Sequence, residues 1–157
     1  RDNPEIPEYG LQYRNPIKQQ TVTGSVSANV SDAAAQITNG CTTPEQKAEA
    51  IFNWFKSTIK YKLYFNSEHA VSATLGGAAS NCYDSALCAY ELLTAANVPA
   101  RFIHGHLTTS EGSWGHYWLE VSYNGSWEMF DVGRGIKRGI GVVNGSYTGR
   151  VVSKKNY

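Results

Sequence analysis

The dipeptide Asn124-Gly125 constrains this chain more than any other feature of its sequence. It separates two segments in which apolar and polar residues alternate, residues 116–123 and 126–132. Alternation with a period of two indicates a strand with one buried face, and Asn-Gly between two such segments is typical of a two-residue hairpin turn. The sequence therefore predicts two antiparallel strands whose register is set by the turn.

The predicted register brings a histidine close to an aspartate. The turn places Tyr123 opposite Ser126, and counting outward places Trp118 opposite Asp131. Because side chains alternate between the two faces of a strand, His116 shares a face with both. His116 and Asp131 become diagonal neighbours, with roughly 7–8 Å between their backbones, and a hydrogen bond between them would fix the imidazole for work as a general base. The alternative interpretation is a cross-strand polar pair without a catalytic role.

Two helices are predicted before these strands. The first covers residues 43–60, begins with a capping box and carries apolar residues on one face. The second covers residues 82–96, with Asn81 as its N-cap, Asn97 at its end and Pro99 preventing its continuation. Helices followed by antiparallel strands predict an α+β fold, in which the second helix packs on the sheet.

The remaining segments give weaker signals. Residues 101–107 are predicted to form another strand, and Asn144-Gly145 indicates a second hairpin. Residues 1–30 contain several prolines and a run of small polar residues, so we expect an N-terminal arm or linker there. The domain itself is expected over residues 31–157, a length that suits one hydrophobic core.

Three cysteines are present, Cys41, Cys82 and Cys88. An odd number leaves at least one thiol free and argues against a disulfide framework, and the absence of a CxxC pair gives no signal for a zinc site. Cys82 begins a predicted helix, and a helix N-terminus favours the reactive thiolate form. Cys82 is therefore the candidate nucleophile, whereas structural roles are expected for the other two cysteines.

The composition excludes several classes of function. The formal net charge is +1, from 14 basic and 13 acidic residues, so no basic surface for nucleic acid is expected. The apolar runs are far shorter than the roughly 20 residues that a membrane-spanning helix needs. The sequence starts with Arg and carries no recognisable signal peptide, so we expect a mature fragment or a domain of a longer chain.

Four segments together resemble a known family. They are residues 51–61, 81–101, 116–121 and 127–131. They resemble the lead-in helix, the cysteine helix, the histidine strand and the aspartate strand of the transglutaminase-like superfamily. The resemblance covers residues 41–135 and implies a papain-like core. It also implies that Cys82 is the nucleophile, that His116 is the base and acid, and that Asp131 orients His116.

Within that superfamily, the sequence resembles the catalytic domain of pseudomurein endoisopeptidases of methanogen viruses. This resemblance implies hydrolysis of the isopeptide bond between alanine and a lysine side chain in archaeal cell-wall crosslinks. It further implies a lytic enzyme that viral lysis releases and that acts at the wall, on its extracellular side, as a monomer within a longer chain that carries wall-binding modules. The chemistry requires no cofactor, and a divalent-cation requirement stays open.

Cleavage by a thiolate needs hydrogen-bond donors for the oxyanion that forms on the amide carbonyl. The backbone N–H of Cys82 is one expected donor. The candidates for a second donor or for contact with substrate are Asn81, Tyr61, Tyr64, Trp118 and His106.

Three other functions compete with this interpretation. His104, His106 and Glu111 have the HxH-x4-E spacing of a cupin metal site, although two helices before the strand argue against a cupin. Acyl transfer to an amine would use the same three residues as hydrolysis. A binding module that has lost its activity is the third possibility, against which the intact Cys, His and Asp argue.

Overall fold

In the computed structural model, which describes residues 21–153, four helices precede a four-stranded antiparallel sheet. The helices are α1 (Val30–Ile37), α2 (Pro44–Thr58), α3 (Val71–Leu75) and α4 (Cys82–Ala95). The strands are β1 (Ala100–Thr109), β2 (Gly112–Ser122), β3 (Trp127–Phe130) and β4 (Ser146–Val151), in the spatial order β3-β2-β1-β4. The helix α4 packs on β1 and β2, which confirms the predicted α+β fold with the cysteine helix on the sheet.

The two predicted helices begin at their predicted caps. The side chain of Thr43 accepts from the Gln46 N–H at the start of α2, and the side chain of Asn81 accepts from the Asp84 N–H at the start of α4. Asn97 adopts a left-handed conformation with φ of 63° directly after α4. The side-chain oxygens of Thr43 and Asn81 accept from N–H groups that have no partner within the helix. This explains why the local sequence predicts where both helices begin.

The predicted hairpin register is confirmed. Leu119 pairs with Phe130 and Ser122 with Trp127. In each pair the two residue numbers add up to the same value as in the predicted pair of Tyr123 and Ser126, so the two strands have the predicted register. This register places His116 and Asp131 diagonally across β2 and β3. The turn at Asn124-Gly125 uses a positive φ of 91° at Gly125, a conformation that glycine adopts without steric cost.

The second predicted hairpin is wrong. Asn144-Gly145 leads into β4, but β4 pairs with β1, which lies much earlier in the chain. The local hairpin near this strand is the one between β1 and β2, which are joined by the two residues Ser110 and Glu111. The helices α1 and α3 were not predicted either. Both are short, and α1 contains three alanines and few large apolar residues.

Both faces of the sheet are buried around its centre. One face packs on the helices through Phe102, Leu119, Val121 and Phe130. The opposite face carries Ile103, Leu107, His116 and Trp118, all of which are at most 5% exposed. Burial on both faces excludes water from the strand that carries His116, so polar groups there must find partners within the protein.

Most of the predicted N-terminal arm lies outside the described residues. Its described end packs on the domain, since the Trp54 Nε1–H donates to the Gly24 carbonyl and the Val26 N–H donates to the Leu75 carbonyl. Packing against the domain therefore extends beyond α1 toward the N-terminus. Across residues 21–153, none of the helices has the length and apolar character needed to cross a membrane.

Candidate active site

Cys82 is the first residue of α4, and its thiol is partly exposed. The cap made by Asn81 fixes the start of the helix, with 2.8 Å between its Oδ1 and the Asp84 nitrogen. The backbone of Gly133, just after β3, lies directly against Cys82. The end of the aspartate strand and the start of the cysteine helix are thus in contact.

His116 lies between Asp131 and Cys82. Its Nε2 is 2.8 Å from the Asp131 Oδ2, and Cys82 is near enough to raise the pKa of His116, which leaves Nδ1 as the ring nitrogen for the sulfur. The imidazole stacks on the Trp118 ring at 5.8 Å between centroids. The structure therefore brings the three residues predicted from the sequence together, with His116 in the middle.

Asp131 is held as a carboxylate by several donors. Its Oδ2 accepts from His116 and from the Tyr147 hydroxyl at 2.7 Å, and its Oδ1 accepts from the Gly133 N–H at 3.0 Å. Burial acts to raise the pKa of Asp131, but the hydrogen bond and charge of His116, with the other two donors, outweigh it and hold the pKa below its ordinary value. Asp131 is therefore ionised at neutral pH.

His116 is only 2% exposed, yet the structure favours its charged form. Burial acts to lower the pKa of His116. The hydrogen bonds to Asp131 and Cys82, together with the negative charges of both groups, outweigh burial and raise the pKa to about 9. His116 is therefore cationic at neutral pH, and it carries a proton that a leaving group can take up.

An open cleft of about 1340 Å³ gives access to Cys82 and His116. Its walls come from the segment after α2, from the hairpin between β1 and β2, and from the loop after β3. Several large apolar side chains on these walls are exposed; they are Tyr61, Leu63, Phe65, Trp114 and Ile136. Exposed apolar side chains that converge on one cleft indicate a surface for binding.

Two of the predicted oxyanion donors are occupied. The Asn81 amide nitrogen donates to the carbonyls of Tyr64 and Asn66, while its oxygen caps α4. The Tyr64 hydroxyl donates to Asp84. Neither side chain has a donor left for substrate.

Tyr61 is the candidate whose hydroxyl remains available. It lines the cleft, and its hydroxyl makes no side-chain hydrogen bond within residues 21–153. Burial raises the pKa of Tyr61, and the negative charge of nearby Cys82 raises it further, so the hydroxyl keeps its proton. Tyr61 can therefore donate to an oxyanion that forms beside Cys82.

Trp118 and His106 do not line the cleft. Trp118 is 3% exposed and packs behind His116, so it supports the imidazole and does not contact substrate. His106 lies exposed on β1, opposite Gly115. The prediction that Trp118 touches substrate is wrong, because Trp118 lies on the same face of β2 as His116 and this face is buried there.

The residues of the predicted cupin-like site do not converge. His104 stacks on the Tyr117 ring at 4.1 Å between centroids, and Glu111 lies in the turn after β1. No group of three or more His, Cys, Asp or Glu side chains in residues 21–153 is arranged to hold a metal ion. The HxH spacing reflects two side chains on the same face of β1, in the part of that strand that pairs with both β2 and β4.

Sequence reasoning missed the residue that fixes the cleft wall bearing Tyr61. Asp84, buried in the first turn of α4, accepts from the Tyr64 hydroxyl, from the Ser67 Oγ at 2.7 Å and from the Glu68 N–H at 3.0 Å. A carboxylate in the first turn of a helix is common, because its negative charge interacts favourably with the helix dipole. Its three partners lie in a segment without regular structure, where no periodic pattern predicts a contact with α4.

The fold agrees with comparisons to known proteins. The family model of the transglutaminase-like superfamily matches residues 31–132, which include Cys82, His116 and Asp131. A solved structure from Cytophaga hutchinsonii, described as a candidate cysteine protease, is 20% identical with a TM-score of 0.58; the match covers 78% of this chain and 47% of that protein.

A TGase structure is 15% identical with a TM-score of 0.51, and its match covers 81% of this chain and 37% of the TGase. This chain thus spans less than half the length of either structure, and at these identities the likeness concerns the fold. No match was found among curated protein sequences.

Proposed function

Because the chain belongs to the transglutaminase-like superfamily, we propose that it is a cysteine-nucleophile hydrolase that cleaves amide bonds through Cys82, His116 and Asp131. The observation that carries this proposal is the hydrogen bond between the Asp131 carboxylate and the His116 ring, with Cys82 close to that ring and open to the cleft. A nucleophile, a base within hydrogen-bond reach and a third group that orients the base are the parts that covalent amide cleavage requires.

In the proposed reaction, the Cys82 thiolate attacks the amide carbonyl carbon, and the electron pair of the carbonyl bond moves onto oxygen. The oxyanion accepts from the Cys82 N–H, which as a first-turn amide has no partner within the helix, and from the Tyr61 hydroxyl. The carbon–nitrogen bond then breaks as His116 donates its proton to the leaving amine.

The second half of the reaction regenerates the enzyme. The thioester on Cys82 is attacked by water, and His116 takes the proton that the water loses. The carbon–sulfur bond breaks, the acid product leaves, and the thiolate returns beside the imidazolium. Asp131 keeps the His116 ring in one orientation throughout and stabilises its cationic form.

For the substrate, we propose the isopeptide bond between alanine and a lysine side chain in pseudomurein crosslinks. The sequence resemblance to pseudomurein endoisopeptidases supports this choice. The exposed apolar side chains of Leu63 and Phe65 also suit it, since the four-carbon stem of an isopeptide-linked lysine offers an unbranched apolar surface. Arg138, exposed on the opposite loop, suits a carboxylate of the same crosslink.

Hydrolysis is favoured over acyl transfer by the openness of the cleft. Enzymes that must keep water from a reactive intermediate close their active sites around it. Here the thiol of Cys82 is partly exposed in a wide cleft, so water reaches the thioester. Addition of a primary amine to the reaction should leave the hydrolytic product dominant, whereas a dominant amide product by mass spectrometry would favour the transferase.

The substrate is tested by digestion of isolated cell walls from methanogens and from bacteria, followed by mass spectrometry of the released peptides. We expect release from pseudomurein walls of peptides with a free lysine side-chain amine and a free alanine carboxyl group. The Cys82→Ala variant should release none, and Cys41→Ala, in which a different partly buried thiol is removed, should act like the wild type. Release from bacterial walls alone would contradict the proposed substrate.

A further inference from the structure

The carboxylate of Asp131 has a second strong donor in addition to His116. The Tyr147 hydroxyl donates to Oδ2 at 2.7 Å, which is the same oxygen that accepts from the His116 Nε2 at 2.8 Å. A charged oxygen that accepts two short hydrogen bonds shares its negative charge between them. Tyr147 therefore competes with His116 for the same lone-pair density.

Tyr147 is itself held in place from two sides. The Arg134 Nη1 donates to the Tyr147 oxygen at 3.2 Å and to the Asn144 carbonyl at 2.8 Å. The Tyr147 ring packs against the Trp118 ring edge to face, with 5.0 Å between centroids, and lies 6.0 Å from the His116 ring. The hydroxyl thus lies in a directed series of donors that runs from Arg134 through Tyr147 to Asp131.

The strand β4 brings Tyr147 to this position. Tyr147 pairs with Leu107 of β1, and two residues on, Gly149 faces Gly105. A Cβ at Gly149 would lie 2.9 Å from the Trp118 ring and 2.7 Å from the His104 carbonyl, so only glycine permits the close approach of β4. Arg134 and Tyr147 both lie beyond residues 31–132, the part that the family profile matches.

We propose that Tyr147, held by Arg134, is a positioning residue that extends the Asp131–His116–Cys82 chain and tunes the basicity of His116. The inference rests on the proposed function for its effect on catalysis. Tyr147 is not among the described residues that line the cleft around Cys82, so its effect passes through Asp131 and not through contact with substrate.

The direction of the effect follows from the shared oxygen. The hydrogen bond from Tyr147 helps to lower the pKa of Asp131, so it makes the carboxylate a weaker partner for cationic His116. Without the hydroxyl, more negative charge faces the imidazolium and the pKa of His116 rises. At the same time the carboxylate loses one of the groups that hold its plane, and His116 becomes less well oriented.

The test is the variant Tyr147→Phe, which keeps the ring and removes the hydroxyl. NMR titration of the His116 imidazole should show a higher pKa than in the wild type. Hydrolysis of an intact alanyl-lysine isopeptide should show kcat lower by about tenfold with KM nearly unchanged, and the alkaline limb of its pH profile should move to higher pH. The control is Tyr123→Phe, in the turn that follows β2 and outside the cleft, which should change none of these values.

Both readouts are required. An unchanged His116 titration would overturn the proposal even if kcat fell, because a fall alone would mark a merely structural role. An unchanged kcat would overturn it as well. The NMR titration needs no substrate, so it decides whether Tyr147 tunes His116 even if the wild type hydrolyses no amide; that latter result would count against the proposed function alone.

Discussion

A Cβ atom at position 133 would lie 2.6 Å from the Cα and 2.8 Å from the Cβ of Cys82. Real Cβ atoms do not approach other carbon atoms so closely, so the chain that leaves β3 depends on glycine to pass over the start of α4. The same Gly133 donates its N–H to Asp131. One residue thereby sets both the position of the nucleophile and the orientation of the carboxylate.

We expect Gly133→Ala to reduce kcat/KM by about a hundredfold or more, because the added methyl group must displace Cys82 or the Asp131 loop. The matched control is Gly135→Ala, where a Cβ would meet no atom within 4 Å. Steady-state kinetics on a crosslink peptide would measure both variants. Equal activity of the two alanine variants would show that the contact between Gly133 and Cys82 is not important.

Stability should depend on pH through His116. Its pKa of about 9 in the folded protein lies above the ordinary value of 6.5, so its contribution is complete below pH 6.5 and is lost as pH rises through about 9. The difference in unfolding free energy between wild type and His116→Gln should therefore shrink across that window, by up to about 3 kcal/mol. Urea unfolding from pH 6 to pH 10 measures it, and a constant difference would contradict the proposed charge state.

Apolar contact with the substrate should come from Leu63 and Phe65, which are 72% and 86% exposed in the cleft wall. We expect Leu63→Ser and Phe65→Ser each to raise KM for a lysine isopeptide about fivefold, since each loses roughly 1 kcal/mol of apolar burial. Val151→Ser, which changes an exposed apolar residue on β4 outside the cleft, is the control. If all three variants kept the wild-type KM, the apolar wall would have no part in binding.

Lys137 connects two walls of the cleft from within. Its Nζ donates to the Ile59 carbonyl at 2.9 Å and to the Arg134 carbonyl at 3.1 Å, and burial lowers the pKa of this lysine. Lys137→Met would leave both carbonyls without this donor and should cost about 1–3 kcal/mol in unfolding free energy. Exposed Lys60→Met should cost much less in the same urea titration, and similar losses for both would argue against the buried bridge.

Local signals predicted the part of the site that comes from adjacent elements. Asn124-Gly125 defined the register of β2 and β3, so the neighbourhood of His116 and Asp131 followed from counting residues. Asn81 located the start of α4 and with it Cys82. Turns and caps are decided by a few neighbouring residues, and for that reason they can be read before any tertiary contact is known.

Contacts between distant segments could not be predicted from such local signals. Tyr147 reaches Asp131 because β4 pairs with β1. The sequence Asn144-Gly145 instead predicted that this strand pairs with a neighbouring segment through a local hairpin. The helix α1 carried a readable signal, with Asn29 as its N-cap and Asp32 in its first turn, but small polar residues around it favoured a linker. When two strands that are far apart in the sequence pair, the pattern of residues in each strand does not show which strand is its partner.

The proposed reaction requires a covalent intermediate at Cys82. The direct measurement is rapid acid quenching of the enzyme during turnover of an alanyl-lysine isopeptide, followed by peptide mapping with mass spectrometry. We expect the peptide containing Cys82 to gain the mass of the acyl group, and we expect Cys82→Ala to show neither this mass nor any turnover. Sustained turnover by Cys82→Ala, or acylation at Cys41 or Cys88 instead, would contradict it.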